Sequence, residues 1–231
     1  MSLKEFEKHF NPPYTPYQQR LCLAPQGDFF KSIKSGKASI ATGHIDHLTE
    51  RGIRMKDGSQ VEADFIIMAT GLTMSHNFPF STMQTTIDGQ QYKPNQHLIY
   101  KGCMLENIPN MAFIMGYAGV SWTLKADIVS SYITRLLNFM NNNQVIRVTP
   151  KEDKNATGER IPSYKGSAAG YVQRAEAHMP LVGNKCPWVK MNNYLFDLFH
   201  LCIKPFTPES LELVKKADRS KKSWVKVVNN Q

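Results

Sequence analysis

The chain has 231 residues, 42% of them hydrophobic, and a formal net charge of +9 at pH 7. This length suffices for one large domain or two small ones. No stretch approaches the roughly 20 continuous apolar residues of a membrane span, and the N-terminus does not resemble a secretory signal. The four scattered cysteines contain no Cys-x-x-Cys pair. They indicate neither a zinc site nor a disulfide framework, and predict reduced thiols in a cytoplasmic protein.

The positive charge is concentrated towards the C-terminus. Basic side chains outnumber acidic ones between residues 204 and 226. Such a run is typical of a solvated face. Its two aromatic residues, Phe206 and Trp224, do not alternate with the basic ones, and it contains no nucleic-acid motif, so the composition does not predict a nucleic-acid partner.

The first part of the chain predicts mixed helix and strand. A proline-rich segment at 11–17 is expected to be extended, because proline fixes its own φ and restricts the preceding residue. Asp28 is expected to cap a short helix that runs to Ile33 and ends at Gly36. Four short strands with a hairpin turn at 56–59 are predicted to follow, at 38–42, 44–49, 52–55 and 60–62.

The stretch from Ala63 to Gly71 reads ADFIIMATG. Consecutive apolar residues predict a strand buried on both faces, as in a layered α/β sheet. The small residues at its end would let another group approach the backbone closely.

A second pattern combines a strand, a glycine turn and a helix start. Met111–Met115 is predicted to form a strand, and Ser121 is predicted to cap a long helix with an apolar stripe at i, i+3 and i+4 spacing. Free N–H groups at a helix start can hold anionic or electron-rich groups. An ordinary βα turn has the same spacing, so both interpretations stay open at this point.

The remaining patterns have structural interpretations. Two shorter helices are predicted at 170–179 and 193–203. His44 and His47 would fall on opposite faces of a strand and make a poor metal pair, so no metal site is predicted. Methionines at 104, 111 and 115 are expected to fill gaps in a core or pocket.

Many blocks, in unbroken order over about residues 8–202, resemble Baeyer–Villiger flavin monooxygenases, in particular the group of the ethionamide-activating monooxygenase. The blocks that carry the resemblance are His9–Cys22, Asp28–Phe30, Gly36–Ala38, Gly52–Ile53, Asp57–Gly58, Ala69–Leu72, Tyr100–Gly102, Ile108–Asn110, Ala112–Phe113, Ser121–Asp127, Gly170–Val172, Pro187–Trp188 and Asn193–Leu195.

The resemblance implies an α/β fold that is the C-terminal part of a flavoprotein with two Rossmann-like dinucleotide-binding domains, for FAD and NADPH. Residues 1–67 would be the C-terminal piece of the NADPH-binding domain. Residues 68–231 would be the C-terminal part of the FAD-binding domain, with a helical tail. The family's two Gly-x-Gly-x-x-Gly/Ala loops, which hold the dinucleotide phosphates, do not occur in this sequence. The fold is therefore expected to be incomplete.

The resemblance also implies roles for individual residues. Arg20 matches the family's catalytic arginine, whose permanent charge suits the stabilisation of a flavin peroxide anion. Thr70 and Gly71 match a strand near the cofactors, and a purely structural role is the alternative. The turn and helix start beside the flavin ring match Gly116, Tyr117, Ser121, Trp122 and Thr123. Core packing is an equal alternative for Trp122, and Ala118-Gly119 replaces the family's usual polar pair.

The implied reaction uses FAD and NADPH to insert one atom of O2 into a ketone or onto sulfur through a flavin C4a-peroxide. This chain alone is expected to be inactive. The first alternative is a non-enzymatic remnant or partner fragment, whose exposed sheet edge would favour self-association. A flavoprotein reductase would need a redox cysteine pair, and a nucleic-acid binder would show salt-sensitive DNA retention.

Overall fold

A computed structural model describes residues 3–12, 14–15, 22–77, 79–117, 121–152, 158–167, 169–216 and 225–229, the last of these for the backbone only. The chain divides into two compact units, Met1–Gly71 and Leu72–Gln231.

The first unit contains two helices and one three-stranded antiparallel sheet. The helices are α1 (Leu3–Phe10) and α2 (Asp28–Lys34), and the strands are β1 (Ile45–Thr49), β2 (Gly52–Met55) and β3 (Gln60–Glu62), in the order β1-β2-β3. Gly52 has a φ of +148°, and a Cβ there would lie 2.0 Å from the carbonyl oxygen of Val61. Glycine therefore allows β2 to approach β3.

Most predictions for the first unit are confirmed, with corrections at three places. Helix α2 begins at Asp28, so Gly27 rather than Asp28 occupies the cap position. The strand predicted at 38–42 is absent. The strand predicted at 63–71 is also wrong: this stretch forms no ladder, and Phe65 and Ile67 are 91% and 89% exposed. A buried strand needs hydrogen-bonded neighbours and covering layers, and the sequence pattern of one segment does not supply them.

The second unit is built from five helices and nine strands in its described part. The helices are α3 (Met74–Asn77), α4 (Pro79–Thr82), α5 (Trp122–Asn142), α6 (Gly170–Ala175) and α7 (Tyr194–Leu198). The strands are β4 (Met83–Ile87), β5 (Gln90–Tyr92), β6 (Ile99–Tyr100), β7 (Met104–Leu105), β8 (Val145–Pro150), β9 (Ile161–Pro162), β10 (Leu181–Val182), β11 (Leu211–Lys215) and β12 (Val225–Asn229). Short 3₁₀ helices lie at Pro94–Gln96 and Glu176–His178 in this unit and at Pro25–Gly27 in the first, and a short π-helix lies at Phe199–Ile203.

Helix α5 forms the centre of the larger core. Its apolar stripe buries Ile128, Val129, Tyr132 and Leu136, in agreement with the predicted spacing. This face packs in one cluster with residues of the antiparallel pair β8–β11 and with Trp188. The core therefore fixes the direction of α5 and the position of its N-terminus.

The helix predictions in this unit are confirmed, whereas the predicted strand at 111–115 is wrong. Helices α6 and α7, each extended by a 3₁₀ or π turn, cover most of the two segments predicted to be helical. Residues 111–115 form no ladder, and Phe113 makes one backbone hydrogen bond, from its N–H to the Cys103 carbonyl, at 2.8 Å. Met104 is buried in the core, as predicted.

The architecture is mixed α and β. All ladders between the strands defined above are antiparallel, and the parallel contacts of the described residues are two isolated bridges, Leu98 with Leu181 and Gly183 with Val189. Within the described ranges, no helix combines the length and apolar character needed to cross a bilayer.

Glu106 links several loops around the hairpin β6–β7. Its Oε2 accepts the N–H of Leu98 at 3.2 Å, contacts Nδ1 of His97 at 3.4 Å and lies 3.8 Å from Arg160. Burial opposes ionisation, but the hydrogen bonds from His97 and Leu98 outweigh it and hold the pKa of Glu106 below its usual value. The carboxylate is therefore stabilised in the folded state.

We expect this carboxylate to make folding pH-dependent. Because its pKa is lower in the folded state, its contribution is present above the unfolded pKa, about 4.3, and is lost as the pH falls through the folded value. Glu106→Gln should lower the unfolding free energy at pH 7 by about 1 kcal/mol or more. The difference from wild type should shrink in acid. Urea unfolding of the variant and of the wild type, at pH 7 and in acid, measures this difference. Glu159→Gln, at an exposed position, is the control. A difference of the same size at both pH values would contradict the prediction.

Candidate functional site

The site that the sequence predicts lies at the N-terminus of helix α5. Gly116 precedes it in a segment without regular secondary structure, and a Cβ at this position would lie 2.2 Å from Cγ and Cδ2 of the Trp122 indole. Any larger residue would displace the ring. Trp122 is 51% exposed, so it covers the Gly116 backbone rather than filling a core.

The first turn of α5 has no side-chain cap from Ser121. Ser121 occupies the predicted cap position, but its Oγ lies 2.6 Å from Oγ1 of Thr123 and accepts no helix N–H. The first N–H groups of a helix lack intrahelical acceptors and carry the positive end of its dipole. This donor set, beside the exposed Trp122, could hold an anionic or electron-rich ligand group.

A buried ionic network supports the start of α5. Lys125 Nζ donates to Asp197 Oδ2 at 2.5 Å and to the Met191 carbonyl at 3.2 Å. The Tyr117 hydroxyl donates a hydrogen bond to the same Asp197 oxygen at 2.8 Å. Lys125 Nζ also lies 5.1 Å from the centroid of the Tyr117 ring. Lys125 is 2% exposed and Asp197 is fully buried. The network thus ties α5, α7 and the segment containing Gly116 together.

The electrostatics of this network keep Tyr117 neutral. Burial and the hydrogen bond to the Asp197 carboxylate raise the pKa of the Tyr117 hydroxyl well above its usual value. The hydroxyl therefore remains a donor over the whole physiological pH range. This hydrogen bond holds Tyr117, the residue next to Gly116, against Asp197 of α7.

A pocket opens beside this network. It is a small, half-open cavity of about 40 Å³, and its wall includes Gly116 and Lys125. Gly102 also lines it with a φ of +69°, and a Cβ there would meet the Met191 side chain at 2.8 Å. Gly102, Gly116 and Lys125 therefore line one concave surface within the second unit.

The structure brings five of the eight predicted site residues together, those at Gly116, Tyr117 and Ser121–Thr123. Arg20 lies outside the described residues. Thr70 and Gly71 lie in the first unit, in an exposed segment without regular structure, where Gly71 has a φ of +88°.

Sequence reasoning missed the Lys125–Asp197 pair. Lys125 stands on the buried stripe of α5, four residues before Val129, and a charged residue on such a stripe signals a buried partner. Its partner could not have been identified, because Asp197 is 72 residues away along the chain.

Comparisons with known proteins identify relatives of this chain. No protein-family model matches it, and no solved structure matches it. It is 42% identical over 211 residues to the FAD-containing monooxygenase EthA of Mycolicibacterium smegmatis, covering 91% of this chain and 42% of EthA. It is 40% identical over 222 residues to the probable FAD-binding monooxygenase AlmA of an Acinetobacter species, covering 96% of this chain and 44% of AlmA.

A third relative is the putative FAD-containing monooxygenase MymA of Mycobacterium tuberculosis, 40% identical over 189 residues, with 82% of this chain and 37% of MymA covered. The chain is thus homologous to part of the flavin-dependent monooxygenases. Within them it is similar to the group that includes EthA and AlmA, which confirms the resemblance predicted from the sequence. The chain spans less than half the length of these relatives.

Proposed function

We propose that this chain is the flavin-contacting part of an FAD- and NADPH-dependent monooxygenase of the Baeyer–Villiger type. The reaction would insert one atom of O2 into a ketone or onto sulfur. The observation that carries this proposal is the donor set at the start of α5, beside Gly116 and Trp122, in a homologue of FAD-containing monooxygenases. FAD supplies the redox chemistry when bound.

The chain's own residues would bind and orient the cofactor. The N–H groups of the first turn of α5 would donate to the flavin edge, and the Trp122 ring would shield that edge from water. The Lys125–Asp197 pair would hold the helix start in place, since both groups are buried and hydrogen-bonded. Fixed donors of this kind cost no reorganisation when charge develops on a ligand.

Arg20, Thr70 and Gly71 have proposed roles that rest on the resemblance. Arg20 would provide the permanent positive charge near the reacting centre, and Thr70 and Gly71 would lie near the cofactors. The proposed domain assignment gives residues 1–67 to NADPH binding and residues 68–231 to FAD binding. The missing phosphate loops lead us to expect no NADPH oxidation by this chain alone.

An FAD titration of the purified chain tests the proposal. We expect flavin to bind and to quench the fluorescence of Trp122, because this indole lies at the proposed site. The variant Trp122→Phe should keep the binding and lose most of the quenching. The matched control Trp188→Phe, at a buried indole outside the proposed contact, should retain the quenching. A folded chain with no flavin affinity would contradict the proposal.

The second candidate is a non-enzymatic remnant or partner fragment. The observation that favours it is the exposed apolar run at 65–68, since large apolar side chains on a surface promote association. The same titration separates the two candidates. A folded, self-associating chain that binds no flavin would support the fragment.

A further inference from the structure

Cys186 and His200 bring a thiol and an imidazole together in the second unit. The Sγ of Cys186 lies 4.0 Å from Nδ1 of His200. Cys186 is exposed and His200 is half-buried, so the pair lies at the surface. The proposed flavin contact at the start of α5 uses neither residue. Thiolate sulfur and imidazole nitrogen together are a donor set for soft metal ions.

The backbone around Cys186 is held by hydrogen bonds on both sides. The N–H of Trp188 donates to the Lys185 carbonyl at 2.9 Å, which closes a turn around Cys186. The carbonyl of Pro187 accepts the N–H of Lys101 at 2.8 Å, and Trp188 is fully buried in the core. The core therefore fixes the position from which the thiol is presented.

The imidazole of His200 is fixed by its own element. His200 lies in the short π-helix, and its ring centroid is 4.2 Å from that of Phe196 and 5.3 Å from that of Phe199. These two aromatic contacts restrict the orientation of the imidazole. Single π-helical turns are rare and are found frequently at functional sites. Both donor atoms are thus positioned before any ligand binds.

The spacing of the two donor atoms favours a low coordination number. A metal–sulfur bond of about 2.3 Å and a metal–nitrogen bond of about 2.0 Å span the observed 4.0 Å with an angle of roughly 140° at the metal. This angle is wider than the tetrahedral angle, about 109°, of structural zinc sites. Among the residues that the structure describes, no group of three or more histidine, cysteine, aspartate or glutamate side chains could hold a metal ion. The pair therefore fits an ion that needs two protein ligands.

The charges around the pair favour a monovalent ion over a divalent one. Lys101, Lys204 and Glu209 are close enough to act electrostatically on both groups. Glu209 lies 3.2 Å from Lys101 and compensates its charge, which leaves the positive charge of Lys204. A monovalent cation on a thiolate forms a neutral site beside this lysine, whereas a divalent cation would leave a net positive charge next to it.

We propose that Cys186 and His200 form a two-coordinate site for a soft monovalent cation, Cu(I). The Cys186 thiolate and the Nδ1 lone pair of His200 are the ligands. Binding releases the thiol proton to solvent and leaves the oxidation state of the metal unchanged. The sulfur ligand selects Cu(I) over hard ions such as Mg²⁺ and Ca²⁺. The site is independent of the proposed flavin chemistry and is measurable without FAD.

Competition for Cu(I) under nitrogen tests the proposal with the purified, reduced chain at pH 7. The probe is Cu(I) held by the chromophore bicinchoninate, and loss of its colour reports transfer of the metal to the chain. We expect transfer, and we expect X-ray absorption of the first bound equivalent to show one sulfur and one nitrogen ligand. No transfer, or copper with sulfur ligands only, would overturn the proposal. Displacement of this copper by Zn²⁺ at equal concentration would overturn the assignment to a monovalent ion.

Paired variants localise the copper. Cys186→Ser and His200→Gln should each weaken Cu(I) binding at least about tenfold, because even the hydrogen-bond partners of metal ligands contribute about that much to affinity. The matched controls Cys22→Ser and His178→Gln, at exposed positions, should leave it unchanged. Circular dichroism checks the fold of each variant. Unchanged affinity in either folded variant of the pair would overturn the proposal, and the X-ray absorption spectrum of the wild-type chain does not depend on any variant folding.

Discussion

Lys125→Ala should lower the free energy of unfolding by about 3–5 kcal/mol, because it leaves the Asp197 carboxylate buried without its partner. One oxygen of that carboxylate already lacks a hydrogen-bond partner among the described residues. Chemical denaturation of the whole chain, followed by tryptophan fluorescence, measures the change, since all three tryptophans belong to the second unit. The start of α5 should loosen as well, and FAD binding should weaken with it.

Two further variants separate the ion pair from its packing. The double variant Lys125→Met/Asp197→Leu should recover much of the lost stability, since apolar residues of similar volume often replace a buried pair at little cost. Lys151→Ala, which removes a half-exposed lysine 3.8 Å from Glu212, should cost no more than about 1 kcal/mol. Equal losses for Lys125→Ala and Lys151→Ala would contradict the role assigned to the network.

Gly116→Ala should displace the Trp122 ring, because the new Cβ would lie 2.2 Å from two indole atoms. Overpacking of this kind costs about 1–3 kcal/mol of unfolding free energy. We also expect FAD affinity to fall roughly tenfold, the effect of losing about one hydrogen bond. Denaturation and a fluorescence titration measure the two effects separately.

The double variant Gly116→Ala/Trp122→Ala is the matched control. Removing the indole removes the clash, so Gly116→Ala should cost little stability in the Trp122→Ala background. If it costs the same in both backgrounds, the close approach of Trp122 to Gly116 is not the reason for glycine at this position.

Local patterns predicted helices α2, α5, α6 and α7, because the signals for a helix lie within a short stretch of sequence, whereas the short helices α1, α3 and α4 were not predicted. The buried stripe of α5 and its start after Ser121 follow directly from them. The two apolar runs at 63–71 and 111–115 have strand-like sequences but no ladder partners. Strand formation depends on neighbours elsewhere in the chain, and a single run does not reveal whether they are present.

The candidate site was predictable to a similar extent. Gly116, Ser121 and Trp122 were predicted from a resemblance, and the structure adds a physical reason for the glycine, the close indole. The Lys125–Asp197 pair depends on a contact between distant segments. Such contacts follow from packing, which sequence periodicity does not specify.

The most direct test of the flavin assignment is a chimera with EthA of Mycolicibacterium smegmatis. The 211 matching residues of this chain would replace their counterparts in that FAD-containing relative, and the flavin absorbance of the purified protein would be measured. We predict that the folded chimera retains FAD, and that Gly116→Ala reduces the amount retained. A folded chimera without flavin absorbance would contradict the claim that this chain carries a flavin-contacting surface.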